Sequence, residues 1–261
     1  MNVFVFDIET VPDVEGARRI HDLPDMTPEQ VAEGLFMQQR QRKGNEFLPL
    51  HLQRIVAISA VFRSHEKFQV WTLGDEASSE AELIKRFFEG IERYSPTLVS
   101  WNGGGFDLPV LHYRSMVHGI AAPRYWDNGE DDSSFKWNNY LSRFHQRHTD
   151  LMDVLAGYQP RASAPLDQMA SLCGFPGKLG MSGAKVWDYF AAGRIADIRD
   201  YCETDVVNTY LLYLRYQRLR GRLDTKSYHS ECRLVRDSLG QLPGAHWPEF
   251  LSAWSNDDGK E

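Results

Sequence analysis

Three acidic segments of the 261-residue chain carry residue types and spacings suited to chemistry. In the first, Asp7 and Glu9 stand two positions apart in Phe6-Asp7-Ile8-Glu9-Thr10. They end an apolar run, Val3 to Ile8, that reads as a strand buried on both faces. Alternate strand residues share a face, so the two carboxylates project together. Side by side they repel each other and resist leaving water, and a divalent cation relieves both penalties. The same pattern also fits a strand end whose acids are simply solvated. The second segment is Trp101-Asn102-Gly103-Gly104-Gly105-Phe106-Asp107, in which a strand feeds a glycine-rich turn and Asp107 opens a helix. Asp107 fits a metal ligand and equally a helix N-cap. The glycines suit a turn and lack the spacing of a phosphate loop. In the third, Tyr201 and Asp205 are i and i+4 on one face of a long helix. An aspartate among Val206, Val207, Tyr210, Leu211 and Leu212 has poor helical propensity. Asp197, Asp200, Glu203 and Asn208 nearby leave open a solvated polar stripe.

These residues need elements to position them. Thr27 and Pro28 start a helix that runs to Lys43 and stops at Gly44, while residues 11–26, rich in Pro and Asp, read as loop. Ile55 to Phe62 and Phe68 to Leu73 are strands joined as a hairpin. Glu80 to Tyr94 carries Leu83, Ile84, Phe87, Phe88 and Ile91 on one helical stripe and ends before Pro96. Thr97 to Trp101 is a strand, and Asp107 to Gly119 a helix closed by glycine. Residues 120–147 form a long polar connection bearing Tyr125, Trp126, Phe135, Trp137 and Tyr140, and connections of that length are commonly functional or partly helical. Thr149 to Leu155 fits a strand or a short helix. Leu166 to Cys173 is a short helix, Ile195 to Arg220 the longest one, and residues 223–250 hold one or two more. The order predicts an α/β fold with a mixed sheet flanked by helices.

A chain with 42% hydrophobic and 25% charged residues is no disordered one. Its net charge of −7 argues against coating nucleic acid through a basic surface, though not against an enzyme that gathers acids around metal. The three cysteines, Cys173, Cys202 and Cys232, make no C-x-x-C, so neither a disulfide framework nor structural zinc is expected, and the compartment is expected to be reducing and cytoplasmic. His112, His118 and His148 are not at zinc spacing either. Asp7 interrupts the first apolar run and no basic segment precedes it, so no signal peptide is expected. No stretch reaches the roughly 18 apolar residues of a membrane span.

Taken in order, D-x-E on the first strand, N-x-x-x-F-D after a middle strand and Y-x-x-x-D on a late helix resemble the DEDD exonuclease superfamily. The tyrosine places the resemblance in the DEDDy branch, with the proofreading domains of DNA polymerases. It is closest to the stand-alone predicted 3′–5′ exonucleases related to the proofreading domain of family B polymerases. Phe47-Leu48-Pro49, Tyr140-Leu141-Ser142-Arg143-Phe144, His148-Thr149-Asp150-Leu151-Met152-Asp153 and Met181-Ser182-Gly183 look like that group too. The likeness implies an RNase H-like sheet of five to six strands over residues 1–222, with a helical insert at 27–43 and the long loop at 120–147. A helical appendage at 223–254 and a polar tail at 255–261 would follow, and about forty residues leave no room for a polymerase. Gly103, Gly104 and Gly105 depart from the family and would make that turn unusually pliable.

The resemblance also implies roles. Asp7 would bridge two divalent ions, magnesium or manganese. Glu9 and Asp205 would complete the first ion, and Asp107 would serve the second, directly or through water. Tyr201 would orient the attacking water, since a hydroxyl with a pKa near 10 is no base at neutral pH. Thr10, Trp101, Asn102 and Phe106 would bind substrate, a single-stranded 3′ end of nucleic acid, preferably DNA, releasing nucleoside 5′-monophosphates. Trp126, Trp137 and Tyr140 either stack unpaired bases or pack the loop on the core. The basic groups Arg40, Arg42 and Lys43; Arg143, His145, Arg147 and His148; and Arg215, Arg218, Arg220 and Arg222 touch substrate or are solvated faces. The alternative, a non-catalytic nucleic-acid-binding or scaffold module on the same fold, is one that the intact acid set argues against and the loss of even one acid would have favoured. An RNase H-type endonuclease would lack the tyrosine.

Overall fold

The computed structural model of the protein describes residues 2–23, 25–65 and 67–255. Five strands form one mixed sheet: β1 (Val3–Pro12), β2 (Gln53–Arg63), β3 (Phe68–Thr72), β4 (Thr97–Ser100) and β5 (His148–Asp150), in the order β3-β2-β1-β4-β5. β1 pairs antiparallel with β2 and parallel with β4, so it is central, as its apolar run predicts. β2 and β3 are antiparallel, the expected hairpin, and β5 joins β4 in parallel. This is an RNase H-like α/β fold.

Eleven α-helices surround the sheet among the described residues: α1 (Val14–His21), α2 (Pro28–Lys43), α3 (Glu80–Tyr94), α4 (Asp107–His118), α5 (Pro123–Trp126), α6 (Leu151–Leu155), α7 (Leu166–Leu172), α8 (Val186–Ala191), α9 (Ile195–Leu219), α10 (Thr225–Leu239) and α11 (His246–Ala253). The alternation of β1 sorts them into two layers. Phe4, Phe6 and Ile8 pack against α3, α4, Tyr125 and Tyr140. Val3 and Val5 face the opposite way, onto α9, α10 and α11. Tyr228, Cys232, Trp247 and Phe250 of the last two helices share that core with Val99 and Val206.

α2 has the bounds its sequence predicts because Thr27 and Gln30 form a reciprocal capping box and Gly44 is left-handed at the other end. α3 likewise starts after a Ser79 cap and ends before Pro96. Elsewhere the structure corrects the reading. Residues 11–26 are not all loop: β1 continues to Pro12, and Asp13 caps α1 by accepting the Gly16 amide at 3.0 Å. Residues 149–155 are both alternatives in turn, the end of β5 and then α6. α8 stands between the Met181-Ser182-Gly183 segment and the long helix. The polar tail lies outside the described residues apart from Ser255.

One buried ionic network joins the far end of β1 to both helices beneath it. Arg114 on α4 donates to both oxygens of Glu80, from Nε at 2.8 Å and from Nη2 at 2.6 Å, and also to Asp13. Glu80 accepts the Ile55 amide of β2 at 2.7 Å and lies 2.7 Å from His118 Nε2. Removing one partner would strand the other charges away from water. Arg114→Ala is expected to lower unfolding free energy by about 3–5 kcal/mol, read from the urea midpoint. A loss below about 1 kcal/mol would show that the network is solvated.

Candidate functional site

β1 extends beyond the end of β4, whose pairing with it covers only Val3, Phe4 and Val5. The rest of that edge of β1 borders the turn after β4, a crevice at the carboxyl ends of parallel strands where α/β sheets commonly bind ligands. Asp7 and Glu9 lie there on the face turned toward α9. The carboxylate oxygens of both and Sγ of Cys202 lie within 4.8 Å of one another. Asp107 is not an N-cap, because Phe106 occupies that position and Asp107 is the first helical residue. Its Oδ1 instead accepts the Ile8 amide at 3.1 Å, a donor that β4 stops too early to satisfy. Asp205 lies on α9 one turn from Tyr201, whose hydroxyl bears on its charge. The structure therefore brings together all five residues singled out for chemistry: Asp7, Glu9, Asp107, Tyr201 and Asp205.

Their electrostatics follow from burial and crowding. Glu9 is 7% exposed and Asp107 3%. Burial first, then Asp107, Glu9 and Asp205, raise the Asp7 pKa well above its ordinary value, and the Cys202 thiol partly offsets them. Glu9 is raised by burial, Asp205 and Asp107, and lowered by Lys178. Burial pushes Asp107 up to about 7 despite the amides that hold it, and raises Asp205 to about 6 against the Tyr201 hydroxyl and Lys178. Burial and then the Asp205 charge also raise the Tyr201 hydroxyl, which keeps its proton and acts as a donor. Four carboxylates that hold protons this firmly lack positive charge. The donor set is all hard oxygen apart from one thiol, and it fits magnesium or manganese.

Several neighbours are legible only in three dimensions. Asp150 accepts the amides of Asn102 at 2.8 Å and Gly104 at 2.9 Å, fixing the turn that presents Asp107. The charge of Lys178, in the loop after Gly177, bears on Glu9 and Asp205, and Asn208 clamps Gly177 from both sides at 3.2 and 2.8 Å. Asn208 is thus fully buried and not part of a solvated stripe. Glu203 is tied as well, accepting from Thr72 Oγ1 at 2.9 Å and lying 3.2 Å from His246. Gly103 is needed for close approach, since a Cβ there would sit 2.5 Å from Ser100 Cβ. The turn is consequently held, not pliable, with the left-handed residue being Asn102 at φ 66°.

Of the residues expected to bind substrate, Asn102 and Phe106 border the crevice, Phe106 packing on exposed Phe47 at 5.6 Å between ring centroids. Thr10 Oγ1 donates to Gln53 at 2.9 Å. Trp101 is placed differently. Its ring belongs to the core under α7 and α9, and its Nε1 donates to the Ala164 carbonyl at 3.1 Å, so it offers no open face for a base. Tyr140 is likewise buried, its hydroxyl donating to the Pro96 carbonyl at 2.7 Å, whereas Trp126 and Trp137 are exposed.

Comparison with known proteins agrees with this geometry. A family described as predicted 3′–5′ exonucleases related to the exonuclease domain of PolB matches residues 45–254, a range that begins after Asp7 and Glu9. The catalytic chain of DNA polymerase epsilon from Saccharomyces cerevisiae is 28% identical over 157 residues, 53% of this chain and 6% of that protein. Its Eremothecium gossypii counterpart is 28% identical over 167 residues, 57% of the chain and 6% of the relative. The Schizosaccharomyces pombe counterpart is 25% identical over 145 residues, 52% and 6%. The matched part of this chain therefore spans only a small fraction of these relatives. Among the described residues, no helix is long and apolar enough to cross a membrane.

The raised acids have a consequence for stability. An unfolded chain releases these protons near the ordinary aspartate value of 3.8, but folded Asp107 holds its proton to about 7 and Asp205 to about 6. Between those limits the folded state binds more protons, so its stability falls as pH rises. In EDTA the melting temperature is expected to be higher near pH 5 than near pH 8, and millimolar magnesium or manganese should remove most of that difference. A melting temperature in EDTA that climbs over this range would mean that the acids ionise without mutual penalty.

Proposed function

Because this chain belongs to the family of predicted 3′–5′ exonucleases related to the exonuclease domain of PolB, we propose that it removes nucleotides from the 3′ end of single-stranded nucleic acid, preferably DNA. The products would be nucleoside 5′-monophosphates. The observation that carries this reading is the meeting of Asp7, Glu9, Asp107 and Asp205 beside Tyr201, all from distant parts of the chain. In this reading Asp7, Glu9, Asp107 and Asp205 hold two magnesium or manganese ions. When bound, such a pair stabilises charge on the attacking and leaving oxygens of a phosphodiester. Tyr201 keeps its proton, so its part is to align the attacking water and not to deprotonate it. Asp150 holds the Asn102–Gly104 turn so that Asp107 stays aimed at Asp7. Thr10, Asn102 and Phe106 line the approach of the substrate. We assign catalysis to residues 1–222 and support of α9 to residues 223–254. Cys173, Cys202 and Cys232, which form no disulfide among the described residues, suit a reducing, cytoplasmic setting.

The complete acid set speaks against a decayed, purely binding module, and Tyr201 against an RNase H-type endonuclease. On end-labelled single-stranded DNA with magnesium or manganese, stepwise shortening from the 3′ end is expected, stopped by EDTA. Internal fragments as the main products would refute the proposal. Asp7→Ala should abolish turnover while the fold persists, because a repelling charge is removed. Tyr201→Phe keeps the ring and loses one aligned hydrogen bond, a cost of about 2–4 kcal/mol, or roughly 10²–10³ in single-turnover rate. A rate within about twofold of the parent would assign the tyrosine to packing alone.

A further inference from the structure

Beside the acids lies a second concavity, of about 170 Å³, lined by Gly104, Arg143, Phe144, Asp150, Tyr158 and Arg220 among others. Asp150 joins it to the catalytic cleft, because its carboxylate holds the turn before Asp107 and its charge bears on Asp107 directly. The floor is aromatic and open. Phe144 is 69% exposed, and its edge meets Tyr158 with 4.9 Å between ring centroids. Tyr158 has φ 62°, an unfavourable backbone conformation for a tyrosine, and this turn holds its ring against Phe144. The Arg143 guanidinium lies over both rings, 5.9 and 5.3 Å from their centroids.

Charge in this pocket is uneven. The negative charge of Asp153 is offset by its ion pair with Arg143. Asp150 is turned to backbone amides of Asn102, Gly104 and Asp153. Arg220 is exposed at the other wall, above Tyr216 at 5.2 Å, and makes no ion pair among the described residues. The pocket thus presents an aromatic face and an uncompensated cation next to the hydrolytic cleft, on an acidic protein. An unpaired nucleotide matches this pair of features, with its base on Phe144 and a phosphate at Arg220. A base inside a duplex keeps both faces stacked and cannot match it.

We propose that this pocket is a subsite for the unpaired nucleotides immediately 5′ to the bond being cut, and that it is the source of selectivity for single strands. The proposal rests on the exonuclease reading, but its test reads binding. Anisotropy of fluorescein-labelled oligothymidylate would be measured with the full chain in calcium, which occupies oxygen sites in place of magnesium. Phe144→Ala and Arg220→Ala are each expected to weaken binding about tenfold, and Phe144→Tyr to retain it. Arg220→Ala should also reduce the slope of log Kd against log salt by about 0.7, one phosphate contact to a single strand. The same oligonucleotide annealed to its complement should bind the parent protein more weakly. Both alanine variants change exposed side chains and should melt with the parent, which thermal unfolding checks. Affinities within twofold of the parent, an unchanged salt slope, equal affinity for the duplex or no binding by the parent would each overturn the subsite. If the parent binds as described but releases no nucleotides in magnesium or manganese, the subsite stands and the exonuclease reading falls. Cleavage by the parent with unaltered binding by the variants gives the reverse.

Discussion

Four carboxylates whose charges reach one another gather on a buried strand just past the end of its pairing with β4, and the elements around them either hold one of the acids or offset its charge. β1 supplies Asp7 and Glu9, and its own Ile8 amide fixes Asp107. α9 supplies Asp205 together with the hydroxyl that steadies it. Gly177, clamped by Asn208, precedes Lys178, whose charge bears on Glu9 and Asp205. Repulsion of this kind opens a site unless the scaffold is stiffer than the force acting on it. Here stiffness comes from β1 being covered on both faces and from α9 lying across β1, β2 and β4. The Thr72–Glu203 hydrogen bond adds a polar tie between sheet and helix, one residue from Cys202.

Much of this was readable from the chain. Asp7, Glu9, Asp107, Tyr201 and Asp205 could be picked out because their spacing is set by local periodicity, two along a strand and four along a helix. α2 and α3 were bounded closely because Thr27, Gly44 and Pro96 act within a turn of themselves. α1 escaped because the Pro and Asp around it read as loop, and α8 because its six residues make fewer than two helical turns. Their stability comes from packing, with Ala17 buried against Leu35 in one and Val186 against Ile198 in the other.

Side-chain neighbourhood was the harder part. Nothing about Lys178 in sequence announces that its charge bears on Glu9, 169 positions away by number. Asp150 was visible as part of a motif, but its work of holding the Asn102–Gly104 turn depends on β5 lying beside β4. Trp101 misled because it adjoins the crevice in sequence. At the end of β4 the backbone turns its ring toward α7 and α9, into the layer below the cleft. Adjacency along a strand gives proximity to a site without giving access to it.

The packing of β1 on both faces has a consequence for how such a protein can change over time. Asp7 and Glu9 alternate with Phe6 and Ile8, which point into the phenylalanine-rich layer under α3. Inserting or deleting one residue within β1 would exchange these sets, carrying carboxylates among Phe4, Phe87 and Phe88 and apolar side chains into the cleft. Substitutions in this strand can be absorbed singly, but changes of length cannot. Changes of length are therefore channelled into the exposed connections between elements, while the strand keeps its count.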